Sequence, residues 1–307
     1  SPWYPCMSTH PSAATPERIL QRIDWQVIRR LDGLLQGDYR SLFYGYGVDF
    51  ADLREYQAED DIRYIDWNVT ARMDTPYVRQ YVEDREITAW FLLDMSPSMD
   101  FGTLGRQKRN VLIDFVTTFS RLLTRHGNRV GALLYGERLA RTIPARGGKL
   151  QVLRITNDLM KQPQLSHVPL TNLGAMLEAG LNVIKRRSLV FILSDFISAP
   201  GWEKPLGMLN RRHEVIAVRL FDPREQELPD LGAVVMEDAE TGDQLYVDTH
   251  DPAFRRAYAA GVERREQALN SIFKRAGVDV LPLSMSDDLV GAIVRFAALR
   301  QQRRTVA

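Results

Sequence analysis

The sequence predicts an α/β fold, a doubly wound and mostly parallel sheet with helices on both faces, preceded by a small N-terminal helix and a β-rich segment. Three observations predict it. From Glu86 onward, short apolar runs alternate with stretches of helical periodicity, the pattern of parallel strands joined by crossover helices. The first strand of that region is nearly all apolar and ends abruptly in a polar loop, as a strand covered on both faces does. At 307 residues, with 45% hydrophobic and 26% charged, the chain can bury a substantial core.

Taken in order, residues 1–15 read as a disordered tail or cloning remnant, because Pro2 and Pro5 interrupt them and no basic stretch precedes an apolar one. Residues 16–85 hold the N-terminal helix and the β-rich segment. Pro16 opens that helix, and Ile19, Leu20, Ile23, Val27, Leu31 and Leu34 recur at three- and four-residue intervals until Gly33 or Gly37 ends it. Short aromatic and β-branched stretches follow at Leu42–Tyr46, Tyr64–Val69 and Pro76–Val82, which predict small strands and turns.

Residues 86–300 form the main domain. Its strands are expected at Thr88–Leu93, Arg129–Tyr135, Leu189–Leu193, Glu214–Leu220 and Val278–Leu283. Helical patterns lie at Lys108–His126, Lys149–Met160, Leu173–Lys185, Trp202–Arg211 and Pro252–Arg275, with Leu289–Leu299 as the last helix. An edge strand is expected near Leu139–Ile143, and a hairpin insert near 231–248 turns at Thr241–Asp243.

Charge excludes some functions. The net charge of +1 creates no global field toward nucleic acid or anionic membrane. The basic runs Lys185-Arg186-Arg187, Arg211-Arg212 and Arg303-Arg304 are short and sit at helix ends, where cations complement the dipole. No apolar run approaches the roughly 20 residues needed to span a bilayer, so no membrane insertion is expected. A single cysteine, Cys6, cannot form an internal disulfide, which points to a reducing, cytoplasmic compartment.

The first main-domain strand runs into Asp94-Met95-Ser96-Pro97-Ser98-Met99-Asp100, and the strand at Leu189 ends in Ser194-Asp195. Between them Thr171-Asn172 precedes a helix. In an open parallel sheet these loops lie at the carboxyl edge, where ligands bind. Asp94, Ser96, Ser98, Thr171 and Asp195 offer only hard oxygens, which suits Mg²⁺, or Mn²⁺ or Ca²⁺ in its place. The absence of paired His or Cys near these loops argues against zinc or a redox metal. The competing reading is that the aspartate and serines simply cap the next helix. Asp100 is placed outside the ligand set.

Asp94-x-Ser96-x-Ser98, with Thr171 and Asp195 on later loops, resembles the metal-ion-dependent adhesion site of von Willebrand factor A domains. The resemblance implies that Ser96, Ser98 and Thr171 bind the cation directly, that Asp94 and Asp195 act mostly through water, and that a partner's carboxylate completes the shell. Upstream, Asp49-Phe50-Ala51-Asp52-Leu53-Arg54-Glu55-Tyr56, Asp60-Asp61-Ile62-Arg63-Tyr64-Ile65-Asp66-Trp67 and Thr70-Ala71-Arg72 resemble the signature of the bacterial DUF58 family. Members of that family resemble partners of MoxR-type AAA+ ATPases with chaperone or complex-assembly roles, which implies such an ATPase or its client as partner. Many carry membrane helices before the signature, whereas only residues 16–36 precede it here as a helix, so the chain resembles a short soluble member.

The expectation is therefore a protein-binding module and not an enzyme. The alternative is a Mg²⁺-dependent phosphoesterase, which needs a general base or second metal beside the first. A structural protein with a vestigial site is a further reading. The charged cluster from Arg54 to Arg72, with Tyr56, Tyr64 and Trp67, reads either as an ion-pair network or as a binding surface.

Overall fold

The structure is a computed structural model, and it describes residues 15–35, 52–57, 60–62, 65, 67–73, 75–80, 86–100, 102, 107–163, 172–226, 230, 232–237 and 244–306. Thr15 and Pro16 open the first helix as their chemistry allows. The Thr15 hydroxyl accepts from the Arg18 N–H at 3.3 Å, and a proline in the first turn forfeits no helical hydrogen bond. Helix α1 (Pro16–Ile23) continues through a π-helical stretch, Asp24–Ile28, into α2 (Arg29–Leu35). Ile23, Ile28 and Leu31 are buried in the same core as the central sheet, so this helix is part of the packed body.

In the segment that follows, β1 (Asp52–Glu55) pairs antiparallel with β2 (Tyr77–Gln80), and between them lies helix α3 (Trp67–Met73). That helix corrects the small strands and turns expected over Tyr64–Val69, from Trp67 onward. Among the described residues, Ile65 bridges Val78 of β2, and β1 and β2 form a sheet of two strands. From Trp67 the chain satisfies its backbone groups within itself, as a helix does. The strand expected at Leu42–Tyr46 and the tail at residues 1–14, with Cys6, lie outside the described residues.

The main sheet is built from β3 (Thr88–Asp94), β4 (Arg129–Tyr135), β5 (Leu139–Arg146), β6 (Leu189–Ser194), β7 (Glu214–Phe221) and β10 (Asp279–Ser284). Between them come α4 (Lys108–Arg125), α5 (Lys149–Met160), α6 (Leu173–Val183), α7 (Glu203–Arg212), the short α8 (Pro223–Gln226), the hairpin β8 (Ala233–Glu237) and β9 (Gln244–Asp248), and α9 (Pro252–Ala276). Helix α10 (Leu289–Val306) follows. The five parallel strands match the segments predicted from periodicity to within one residue at each end.

Alternation along β3 layers the fold. Ala89, Phe91 and Leu93 enter one core, and Trp90 and Leu92 enter the other, because successive strand side chains leave on opposite faces. On the first face Phe91 stacks on Phe191 at 5.3 Å, with Phe115 and Phe119 of α4 closing over Phe191. On the second, Gly180 lets α6 approach closely, since a Cβ there would sit 2.9 Å from Leu92 Cδ1.

The strand order is β10-β7-β6-β3-β4-β5, with β5 antiparallel at the edge and the others parallel. The chain winds outward from β3 to β4 and β5, then returns to β6 and winds the other way. Winding therefore reverses between β3 and β6, and in open sheets of this kind ligands bind beyond the carboxyl ends of the strands at such a point.

Candidate functional site

Asp94 is the last residue of β3, and Asp195 follows the last residue of β6, so the two carboxylates flank the reversal point. The loop after β3 is pinned by its apolar residues. Met95 and Met99 enter the core, the Met95 N–H donates to Tyr135 O at 2.7 Å, and the Met99 N–H donates to Ser96 O at 3.0 Å. Pro97–Asp100 forms a 3-10 turn. The alternate residues Asp94, Ser96 and Ser98 are thereby gathered, and only 1%, 2% and 7% of their surfaces are exposed.

The hydrogen bonds within this group are few and specific. The Ser96 N–H donates to Asp94 Oδ1 at 3.0 Å, and the Ser194 hydroxyl donates to Asp94 Oδ2 at 2.6 Å. Ser96 Oγ and Ser98 Oγ lie 3.1 Å apart. Burial, and next the charge of Asp195, push the Asp94 carboxyl up to about 6, while the hydrogen bonds from Ser194 and Ser96 pull the other way.

The loop after β6 carries a backbone outlier. Phe196 has φ of 59°, a left-handed conformation that is costly for a bulky residue. It is held there by packing against Trp202 and Phe273, with ring centroids 5.7 and 5.0 Å away, and by its N–H donating to Ser194 Oγ at 2.9 Å. The next N–H, from Ile197, donates to Asp195 Oδ1 at 3.0 Å, so the turn fixes Asp195.

Two basic residues complete the site, and the sequence reading missed both. Lys108, 1% exposed, donates to Asp195 Oδ2 at 3.1 Å and pairs with Glu225 Oε1 at 2.7 Å. Burial drives this ammonium toward its neutral form, but Asp195 and Glu225 outweigh it and raise its pKa overall. Arg109 pairs through Nε with Asp100 Oδ1 at 2.7 Å and donates from Nη1 to Gln162 O at 2.9 Å. Burial raises the Asp100 pKa against the opposing charge of Arg109. The available signal was position, because Lys108 and Arg109 stand in the first turn of α4, where the helix dipole disfavours cations.

Of the five expected metal ligands, four are brought together at this edge and Thr171 lies outside the described residues. Its neighbour Asn172 caps α6, its Oδ1 accepting from the Ala175 N–H at 2.9 Å, and the Leu173 N–H donates to Ser198 Oγ at 3.0 Å. The start of α6 is thus tied to the loop after β6. In the Arg54–Arg72 cluster, Trp67 is 69% exposed and the Gln57 N–H donates to Asp60 Oδ2 at 2.9 Å, whereas Arg63, Tyr64 and Asp66 lie outside the described residues.

The donor set can be tested against a small hard cation. Octahedral Mg²⁺ with bonds of about 2.0–2.1 Å places adjacent ligand oxygens about 2.9 Å apart. The separation of the two serine hydroxyls is close to that edge, and the neighbouring groups are carboxylate and hydroxyl oxygens. No cluster of three or more His, Cys, Asp or Glu suited to a metal occurs among the described residues. No helix among the described residues is long and apolar enough to cross a membrane.

Comparison with known proteins adds relatives. Uncharacterized protein Rv1480 of Mycobacterium tuberculosis is 35% identical over 283 residues, covering 92% of this chain and 89% of that protein. Uncharacterized protein MAV169 of Mycobacterium avium is 31% identical over 160 residues, 52% of this chain and 94% of its own length. Among solved structures, an aerotolerance-related membrane protein from Bacteroides fragilis is 12% identical, covers 70% of this chain and 99% of its own, and has a TM-score of 0.48. BatB from Bacteroides thetaiotaomicron is 10% identical with the same coverages and a TM-score of 0.44. Residues 52–268 match the family described as protein of unknown function DUF58, and with the mycobacterial relatives this match shows that the chain belongs to the DUF58 family.

Proposed function

We propose that the chain is a protein-binding module of the von Willebrand factor A type. A Mg²⁺-class ion, held through Ser96, Ser98 and Thr171 with Asp94 and Asp195 around it, engages an acidic residue of a partner. The observation that carries this reading is the paired Ser96 and Ser98 hydroxyls, 3.1 Å apart and beside Asp94, at the winding reversal of the sheet. When bound, the ion supplies positive charge on which an incoming carboxylate can close. DUF58 membership favours a MoxR-type AAA+ ATPase or its client as that partner.

The phosphoesterase alternative finds no supporting observation. All four carboxylate oxygens of Asp94 and Asp195 already accept a hydrogen bond, from Ser96, Ser194, Ile197 and Lys108. Hydrogen bonds to the ionised form make a carboxylate a weaker base toward water, which disfavours a general-base role for either residue.

The test is calorimetric titration of Mg²⁺ and Mn²⁺ into EDTA-treated protein, wild type beside Asp94→Ala, followed by capture of partners with and without the ion. Saturable binding that disappears in the folded variant, with an ATPase retained only in the presence of metal, is the expected result. An unchanged titration in Asp94→Ala would sink the assignment.

A further inference from the structure

A lysine almost wholly removed from water, in the one helical turn whose dipole opposes it, calls for an explanation that packing does not supply. Its partners supply one. Lys108 Nζ lies between Asp195 Oδ2 at 3.1 Å and Glu225 Oε1 at 2.7 Å. The Asp195 oxygen it holds is the one not bound by the Ile197 N–H, and so the one free of the backbone.

Glu225 is anchored independently of the site. Its Oε2 accepts from the Asp222 N–H at 3.3 Å, and its carbonyl accepts from the Tyr258 hydroxyl of α9 at 2.8 Å. It can therefore keep the ammonium in place while Asp195 changes partner.

We propose that Lys108 is a tethered counter-cation of the site: it neutralises Asp195 when no divalent ion is there, yields that carboxylate to the ion on loading, and is then retained by Glu225. The proposal rests on the metal-binding reading above. It also gives Lys108 a part in selecting the ligand. The three carboxylates Asp94, Asp195 and Glu225 and the one ammonium carry two formal negative charges, which one divalent ion neutralises. An acidic group of a partner then approaches a neutral site. Without Lys108 the loaded site stays negative and repels it.

Two variants of the full chain separate this from a structural role, because both break the Lys108–Glu225 pair but push Asp195 in opposite directions. In Lys108→Met the competitor for Asp195 is gone. Metal-free protein should melt at a lower temperature, Mg²⁺ or Mn²⁺ should raise its Tm by more than in wild type, and Mn²⁺ should bind about tenfold tighter by calorimetry. In Glu225→Gln the ammonium is left to Asp195 alone, and Mn²⁺ should bind several-fold more weakly. If wild type binds Mn²⁺ and the two variants shift affinity in the same direction, or not at all, the counter-cation is overturned while the metal site stands. If none of the three chains responds to Mg²⁺ or Mn²⁺, the metal-binding reading fails and this proposal with it. Should Lys108→Met not fold, Glu225→Gln decides alone, and unchanged or tighter Mn²⁺ binding overturns the proposal.

Discussion

The two ends of the central sheet use the same residue types in opposite ways. At the amino end, Arg129 of β4 pairs with Glu86 just before β3, with side chains 55% and 47% exposed. At the carboxyl end, Lys108 and Asp195 form their pair with side chains 1% and 2% exposed. Water screens the first pair and leaves it nearly interchangeable with solvent, whereas the second must be satisfied by protein alone. A fold that keeps Asp94, Asp195, Lys108 and Arg109 out of water at one edge gives up stability there. That cost is concentrated at the winding reversal, where the proposed site lies.

The largest effect that would break this contrast is expected at Arg109. Its guanidinium joins the 3-10 turn, through Asp100, to the Gln162 and Pro163 carbonyls that precede the segment leading to Thr171. Arg109→Ala leaves Asp100 without its partner and should cost about 3–5 kcal/mol in chemical denaturation. A loss near that of a surface pair would mean that the carboxyl edge is as well hydrated as the amino edge.

The difference between the ends was only partly legible in sequence. The strands were legible because their apolar runs are long enough to be buried on both faces, and Asp94, Ser96, Ser98 and Asp195 stood out as polar residues where such runs stop. Lys108 and Glu225 were not, because their contact joins residues far apart in the chain, and periodicity carries no information about which helix start meets which strand end. The helix Trp67–Met73 was not legible for a related reason: the aromatic and β-branched residues from Tyr64 to Val69 predict small strands and turns, but whether a strand forms depends on a neighbour to pair with. Helix α10 runs past Leu299 to Val306 because the arginines and glutamines there are good helix formers even without an apolar stripe.

A middle-sized effect concerns pH. The Asp94 carboxyl is raised to about 6 from 3.8, so between those values the folded state holds a proton that the unfolded chain has released. Its contribution to stability is present below about pH 4 and is lost as the pH rises through 6. Two pKa units correspond to about 3 kcal/mol, so Asp94→Asn should stabilise metal-free protein at pH 7 by roughly 1–3 kcal/mol relative to wild type. The advantage should vanish near pH 4, and saturating Mg²⁺ should reverse it, since the ion favours the ionised carboxylate that asparagine lacks. Denaturation curves at pH 4 and 7, with EDTA or Mg²⁺, check all three statements. Parallel pH profiles for the two proteins would show that Asp94 is not the group that titrates.

The smallest effect is expected at the amino end and sharpens the comparison by its size. The Ile87 N–H donates to Asn128 Oδ1 at 2.9 Å and the Arg129 N–H to Ile87 O at 2.9 Å, so the backbone there is secured without the Arg129–Glu86 pair. Arg129→Ala should therefore change stability by less than about 1 kcal/mol, and added salt should remove most of what remains. The divalent response should be untouched, because the ion pair lies at the opposite end of β3 and β4 from Asp94. A variant that altered Mn²⁺ affinity from that distance would mean the two ends are coupled through the strands, and the division of the sheet into a solvated end and a buried end would no longer hold.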